Sequence, residues 1–333
     1  MLTGCTGAGV TLDWRGAPRE NGVMHAVEHM APGNPGEGTA PTSTSLLPTG
    51  PGVYRFRDTR GRVLYVGRAT DLRSRVRSYW GPLGDRRHLA RMVTRIGRIE
   101  AVICQSRHEA AWLERSMLEH WMPPWNRTAG GQEVPVWLKV TDSGVEVEQR
   151  PTRTGALFGP YLGATQARSA AAALNRIYPF RYANARSGAE REMARVRGVL
   201  PVDGARMRVA VVAALSGDPE AVAALRTELI DRRQASVDVM DYERAATIQR
   251  QLEGVEWIVE PSRVLDHGPD LEVHGWADGL LLTFELRGGR ICDWRTRPST
   301  QGNALGRLAA TPVHWRDFAT ENAALGAALR AAR

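Results

Sequence analysis

Apolar and polar residues alternate over Gly52-Val53-Tyr54-Arg55-Phe56-Arg57, the two-residue period of a half-buried strand. The turn signal Asp58-Thr59-Arg60-Gly61 follows, and then a second apolar run, Val63-Leu64-Tyr65-Val66-Gly67. Together they predict a β-hairpin. Leu72, Val76 and Tyr79 recur at spacings of four and three, so 71–79 is expected to be helical with Asp71 as its N-cap. A second helix is expected over 88–96, a third strand over 100–104, and a third helix over 107–121 that Pro123-Pro124 ends. Farther on, 134–140 reads as a strand, 155–161 as a turn-rich connector and the alanine-rich 165–177 as a helix. Residues 183–205 read as irregular, 219–259 as two helices broken near 237–241, 266–296 as strands around Gly288-Gly289, and 304–333 as helical. Residues 1–45 are rich in Gly, Pro, Thr and Ser and lack periodicity, so they are expected to be disordered, with Met24 and Met30 offering alternative starts.

Composition narrows the class. A chain of 333 residues has room for two or three domains, and a hydrophobic share of 43% suits packed cores. The formal net charge of +8 favours a polyanionic partner. Of the 44 basic residues, Lys139 is the single lysine. Arginine grips phosphate through a bidentate fork, but so complete a bias fits the codon usage of a GC-rich genome better than selection at each site. Cys5, Cys104 and Cys292 lie far apart and form no CxxC pair, which argues against a zinc site or a disulfide framework. No apolar run reaches the ~18 residues of a transmembrane helix. The N-terminus lacks the basic start and apolar core of a signal peptide. A cytoplasmic protein is the default expectation.

The candidate chemistry sits between Gly52 and Asn126. Phosphodiester hydrolysis needs a water that loses a proton, neutralised phosphoryl oxygens and a stabilised leaving oxygen. The hairpin tyrosines Tyr54 and Tyr65 are candidates to orient or deprotonate the water. A tyrosine's ordinary pKa of ~10 is high for a base, so cations must assist. Arg75 on the following helix is a candidate phosphate ligand, and Glu114 on a later helix a candidate ligand for Mg²⁺, which is often held by one or two carboxylates. Taken singly, each has a plain structural reading: strand aromatics, a solvated arginine, one acid among several, Tyr79 in a core, Asn126 at a helix stop.

The stretch resembles a GIY-YIG nuclease domain of the UvrC and Cho excinuclease branch. Leu47-Pro48-Thr49-Gly50-Pro51-Gly52-Val53-Tyr54 resembles the family's LPxxPGVY, and Tyr65 to Tyr79 resembles YVGKAxxLxxRVxSY. Glu109-Ala110-Ala111-Trp112-Leu113-Glu114 resembles EAxxLE, and the Pro-x-x-Asn ending at Asn126 resembles the closing motif. The resemblance implies an α/β fold for 46–130, a small mixed sheet flanked by helices. It implies Tyr54 and Tyr65 as active-site tyrosines, Tyr65 as the water activator, Arg75 as phosphate ligand with Tyr79 in support, Glu114 as ligand of Mg²⁺ or Mn²⁺, and Asn126 positioning the site from its edge. Arg68 stands where the family has lysine, and Arg73 and Arg77 are candidate DNA contacts.

Beyond this domain, Phe158-Gly159-Pro160-Tyr161 and Ile177 to Arg181 also resemble UvrC, as do Asp278-Gly279 and Arg287-Gly288-Gly289-Arg290. Ala183 occupies a cysteine position, so no iron–sulfur centre is expected. Residues 239–248 resemble the UVR motif, a helical hairpin that pairs with its counterpart in UvrB. Tyr242, Ala245, Ala246 and Leu252 would line one side of it, although Gln249-Arg250 replaces the usual Arg-Asp. The expected organisation is a 1–45 extension, the nuclease domain at 46–130, a linker region at 131–215, a UVR-type hairpin at 216–262 and a small β-rich segment at 263–333. The expected function is metal-dependent nicking of one DNA strand 3′ of a lesion, on damaged double-stranded DNA with a UvrB-like partner. The alternatives are a UvrB-independent structure-specific nuclease and a non-catalytic UvrB-binding adaptor.

Overall fold

Strand β1 (Gly52–Arg57) is the centre of a three-stranded sheet, between β2 (Val63–Ala69) and β3 (Arg98–Ile103). The structure, a computed structural model, describes residues 40–127, 133–150, 155–263 and 268–332. Both ladders are antiparallel, so the sheet expected to be mixed is antiparallel in these strands. The hairpin turn is held by Asp58, whose carboxylate accepts from the backbone N–H of Arg60 and Arg62 at 3.0 and 2.8 Å. Helix α1 (Leu72–Arg77) begins at Asp71, which accepts from the Ser74 N–H at 2.8 Å and satisfies one of the helix's orphan donors. The helix expected over 88–96 is a 3₁₀ turn, Gly84–Leu89, running into the short α2 (Ala90–Val93). Then α3 (Arg107–His120) follows β3. Residues Thr42–Leu46, expected at the end of a disordered extension, form a 3₁₀ turn with Thr44 buried; the expectation for 1–39 lies outside the described residues.

A second sheet, in the order β5-β4-β6, contains β4 (Pro135–Val140), β5 (Val145–Glu148) and β6 (Ala156–Leu162). The connector expected at 155–161 is thus a strand, because its backbone pairs with β4. Helices α4 (Ala164–Ile177), α5 (Phe180–Ala183), α6 (Gly188–Val196) and α7 (Asp203–Leu215) come next. The stretch read as irregular therefore holds α6, which starts with a reciprocal Ser187–Glu190 capping box. Its apolar residues Ala189, Met193 and Val196 recur at helical spacing but stay exposed, and only Ala194 is buried. Helices α8 (Pro219–Asp238) and α9 (Tyr242–Ile258) form the expected antiparallel pair. The pair is not a separate unit. Leu225, Leu229, Ile248, Leu252 and Val255 share one core with Val136, Leu138 and Leu174, so the expected division near 216 crosses a single core.

The chain ends in a meander, β7 (Leu271–Ala277), β8 (Leu280–Arg287) and β9 (Arg290–Pro298), then α10 (Gln301–Ala310) and α11 (Val313–Ala331). This segment packs on the first sheet: Phe284, Trp294 and Phe318 meet Val53, Val102, Leu113 and Met117. Consequently β1 is buried on both faces, not half-buried as its alternation suggested. Arg55, whose position in the pattern reads as solvent-facing, is 3% exposed. Its guanidinium pairs with Glu100, donates to Asp293 at 3.1 Å and to the Trp294 carbonyl at 2.8 Å, and lies 4.1 Å from the centre of the Trp294 ring.

Three asparagines close exposed strand edges, each accepting an N–H and donating to the C=O of one edge residue. Asn126 does so to Val66 of β2 (2.9 and 2.9 Å), Asn322 to Ile103 of β3 (2.6 and 3.3 Å) and Asn175 to Val145 of β5 (2.8 and 2.9 Å). A carboxamide presents one donor and one acceptor at the spacing of a peptide group, so it completes the ladder where no strand follows.

Helix α3 is the spine between the two halves. Trp112 donates to the Pro160 carbonyl at 3.1 Å, and the His108 ring packs 4.3 Å from that of Trp257. His108 Nε2 donates to the Trp257 carbonyl at 2.6 Å, while its buried Nδ1 has no partner. Burial lowers the His108 pKa below its usual 6.5, since a charged ring would carry an N–H with nothing to accept it. The unfolded chain then binds the proton more readily than the folded one, so stability falls as pH drops below about 6.5. The melting temperature should decline between pH 7.5 and 5.5, and His108→Gln, which keeps the Nε2 donor, should shrink that decline. An equal decline in the variant would contradict this account. His274, also lowered chiefly by burial, leaves a residual pH dependence.

Candidate active site

The antiparallel register sets the site. Tyr54 pairs with Gly67 and Phe56 with Tyr65 across β1 and β2, so both tyrosines share one face of the sheet. Helix α1 covers that face, and Tyr79, just past its end, completes the group. The Tyr54 and Tyr79 hydroxyls are 2.7 Å apart. The Tyr65 ring lies 6.2 Å from that of Tyr54 and 6.0 Å from that of Tyr79. Gly67 is what permits this packing: a Cβ there would sit 2.5 Å from the Tyr54 hydroxyl and 2.8 Å from Tyr65 Cε1. Gly52 is as constrained, since its Cβ would meet the Val102 carbonyl at 2.3 Å. The motif glycines are therefore needed for close approach, a role the sequence reading did not assign them.

Arg75 projects from α1 with its guanidinium carbon 5.8 Å from the centre of the Tyr79 ring. Burial alone would lower its pKa, but the phenol oxygens of Tyr54 and Tyr79 hold it up. The tyrosines move the other way. Burial, and then the neighbouring Tyr79, push the pKa of Tyr65 well above its ordinary value, and Tyr54 is raised by the same causes with Tyr65 added. Both are therefore protonated at neutral pH.

Glu114 reaches the outer edge of β2 from α3. Its carboxylate accepts from the Arg68 backbone N–H at 3.2 Å, one residue pair along from Asn126. Trp125 adds an N–H to the Leu64 carbonyl, so the Pro-x-x-Asn segment and Glu114 together cover this edge. Burial raises the Glu114 carboxyl above the usual carboxylate range, with Arg68 and then Arg75 acting against the rise. The Arg68 side chain lies alongside: Nε is 3.3 Å from Glu114, and both terminal nitrogens donate to Glu133 at 3.0 and 2.9 Å. Glu133 was not singled out in the sequence. It follows the motif, with no spacing signal to find it.

The structure thus brings Tyr54, Tyr65, Tyr79 and Arg75 into one cluster, with Glu114, Arg68 and Asn126 at the adjoining strand edge. Arg68, Arg75 and Glu133 line a cleft of about 620 Å³ whose far wall is Gln166, Glu253 and Trp257 from the second half. Of the candidate DNA contacts, Arg77 is exposed, whereas Arg73 donates to the Leu47 carbonyl at 2.6 Å and pins the entry segment. The hairpin residues expected on one free side are divided. Ala245 and Leu252 are buried, while Tyr242 is 63% exposed and Ala246 faces solvent. The helix period places 242 and 246 on one flank and 245 and 252 on the flank packed into the core. Val239 and Met240, at the hairpin tip, are exposed beside Tyr242. Among the described residues no three His, Cys, Asp or Glu side chains gather as a metal-binding group, and no helix is long and apolar enough to cross a membrane.

Residues 50–127 match the family model described as the UvrC-like GIY-YIG domain. The UvrABC system protein C of Geotalea daltonii is 29% identical over 269 residues, covering 75% of this chain and 43% of that protein. The same protein from Gemmatimonas aurantiaca is 31% identical over 270 residues, 74% of this chain and 43% of its own length. That from Mycobacterium bovis is 32% identical over 273 residues, 74% and 42%. The chain spans less than half the length of these relatives. Among solved structures, the GIY-YIG N-terminal endonuclease domain of UvrC from Thermotoga maritima, bound to magnesium, matches with 29% identity and a TM-score of 0.23, covering 26% of this chain and 92% of that one. Residues 50–127 are a UvrC-like GIY-YIG domain, in a chain whose similarity to UvrABC system protein C extends over about three quarters of its length.

Proposed function

We propose that this chain is a divalent-metal-dependent endonuclease that nicks one strand of damaged duplex DNA on the 3′ side of the lesion. The observation that carries the reading is the gathering of three tyrosines and Arg75 on one face of the sheet, with the Glu114 carboxylate at its adjoining β2 edge. The family match is the expected context for it.

Arg75 is the phosphate ligand: its charge is fixed and it borders the cleft, so it neutralises a phosphoryl oxygen as negative charge accumulates. Tyr65 orients the attacking water in its protonated form; to take the water's proton it must first release its own to solvent, which the positive field of Arg75 favours against the effect of burial. Tyr54 and Tyr79 hold Tyr65 and Arg75 in place. Asn126 fixes the β2 edge, so it acts by positioning. Glu114 offers hard oxygen donors in a desolvated setting, which fits Mg²⁺ or Mn²⁺. A cation bound there supplies Lewis-acid stabilisation of the phosphoryl and leaving oxygens. Arg73 and Arg77 extend the positive surface along α1.

Targeting is assigned to the helical pair α8–α9 as a UVR-type hairpin. Its exposed tip, Val239, Met240 and Tyr242 with Ala246 alongside, is the surface for a UvrB-like partner, while Ala245 and Leu252 hold the hairpin together. The test is incision of an end-labelled duplex carrying one bulky adduct, in Mg²⁺, with and without UvrB. A nick 3′ of the adduct that requires UvrB is expected. A nick at the same place without UvrB would point to an independent structure-specific nuclease, and no nick with UvrB still bound would leave an adaptor.

A further inference from the structure

Arg68 stands between two carboxylates. It shares Nε with Glu114 at 3.3 Å, and commits both terminal nitrogens to Glu133 at 3.0 and 2.9 Å. Glu133 is itself tethered, because Arg115, the residue after Glu114 on α3, donates to its backbone carbonyl. A guanidinium carries one positive charge and five N–H groups in a rigid plane. The fork towards Glu133 takes one N–H from each terminal nitrogen and draws the plane towards Glu133, so that Glu114 is met by Nε alone. Were Glu133 absent, the same plane would be free to turn its fork on Glu114, and would then occupy both oxygens that a cation needs.

From this arrangement we infer that Glu133 is a positioning residue that draws the Arg68 guanidinium off Glu114 and so sets the divalent-cation affinity of the site. The inference rests on Glu114 being the cation's ligand. It concerns a competition between two cations for one carboxylate, Arg68 within the chain and the metal from solution. A bidentate arginine pair is the tighter of the two arginine geometries, so the position of Arg68 changes how much of Glu114 remains available. Where a lysine stands at this position only one point charge competes. The fork makes a second acceptor necessary, and Glu133 supplies it.

The test is Mn²⁺ binding to the full chain, without DNA, by titration calorimetry. Glu114→Gln should abolish binding; if it binds Mn²⁺ as the wild type does, the assignment of Glu114 fails and this inference with it. With Glu114 so established, Glu133→Gln should weaken Mn²⁺ binding by about fivefold, the scale of one partly exposed ion pair. The double variant Arg68→Gln/Glu133→Gln should return the affinity to the wild-type value or tighter, because the competitor is gone. Two results would overturn the inference alone. One is unchanged binding in Glu133→Gln. The other is a double variant as weak as the single, which would make Glu133 a ligand of the metal and not the holder of Arg68. Melting temperatures of all variants, at Glu133's partly exposed position, check that the fold is intact.

Discussion

Replacing Glu114 by glutamine is expected to lower strand incision by about 10³-fold while leaving the fold in place. Glutamine has the shape of glutamate and keeps an oxygen that accepts the Arg68 N–H, so the closure of the β2 edge survives. What disappears is the negative charge. That charge is costly where it stands, since burial already raises the carboxyl pKa. The melting temperature of Glu114→Gln should therefore equal or exceed that of the wild type. A large loss of incision beside unchanged stability separates a chemical role from a structural one. Incision within tenfold of wild type would remove Glu114 from the reaction, and the tyrosine cluster alone would then have to account for the nick.

Glu100→Gln should have the opposite signature, a large loss of stability. Glu100 is 8% exposed, and three arginines converge on it: Arg55, Arg57 at 3.0 Å and Arg98. Burial, and then the proximity of Arg57, bring the pKa of Arg55 down to about 9, which leaves it charged at neutral pH. With glutamine at 100, the buried Arg55 keeps an amide oxygen, the Trp294 carbonyl and the Trp294 ring, but the only carboxylate left beside it is Asp293. Removing one partner of a buried pair costs about 3–5 kcal/mol. For a chain of this size that corresponds to a fall of roughly 5 °C in melting temperature, read by scanning calorimetry. Because Arg55 bridges β1 to β9, the loss should fall on the contact between the first sheet and the C-terminal meander. A fall of less than about 2 °C would show that the network is neutral, as some buried ion pairs are.

The sequence by itself determined the local elements that hold the candidate site. Alternation put Tyr54 and Tyr65 on strands, the Asp58–Gly61 turn joined those strands, and Asp71 opened the helix that carries Arg75. Each of these depends on neighbours within a few residues, and short-range sterics and capping act at that range. Period-two alternation states which residues share a face. It does not state whether the other face is covered. Arg55 therefore read as a surface residue, although Asp293 and Trp294, 238 and 239 positions away, bury it. The same limit hid Glu133 as the second acceptor of Arg68 and divided the expected stripe of α9 between core and solvent. Helix α6 escaped because its nine residues sit in a polar stretch, and β6 because its turn-forming residues gave no hint of the β4 edge awaiting them. Only the tertiary structure decided these, because each depends on which distant backbone or charge takes up an unpaired group, and burial makes leaving such a group unpaired costly.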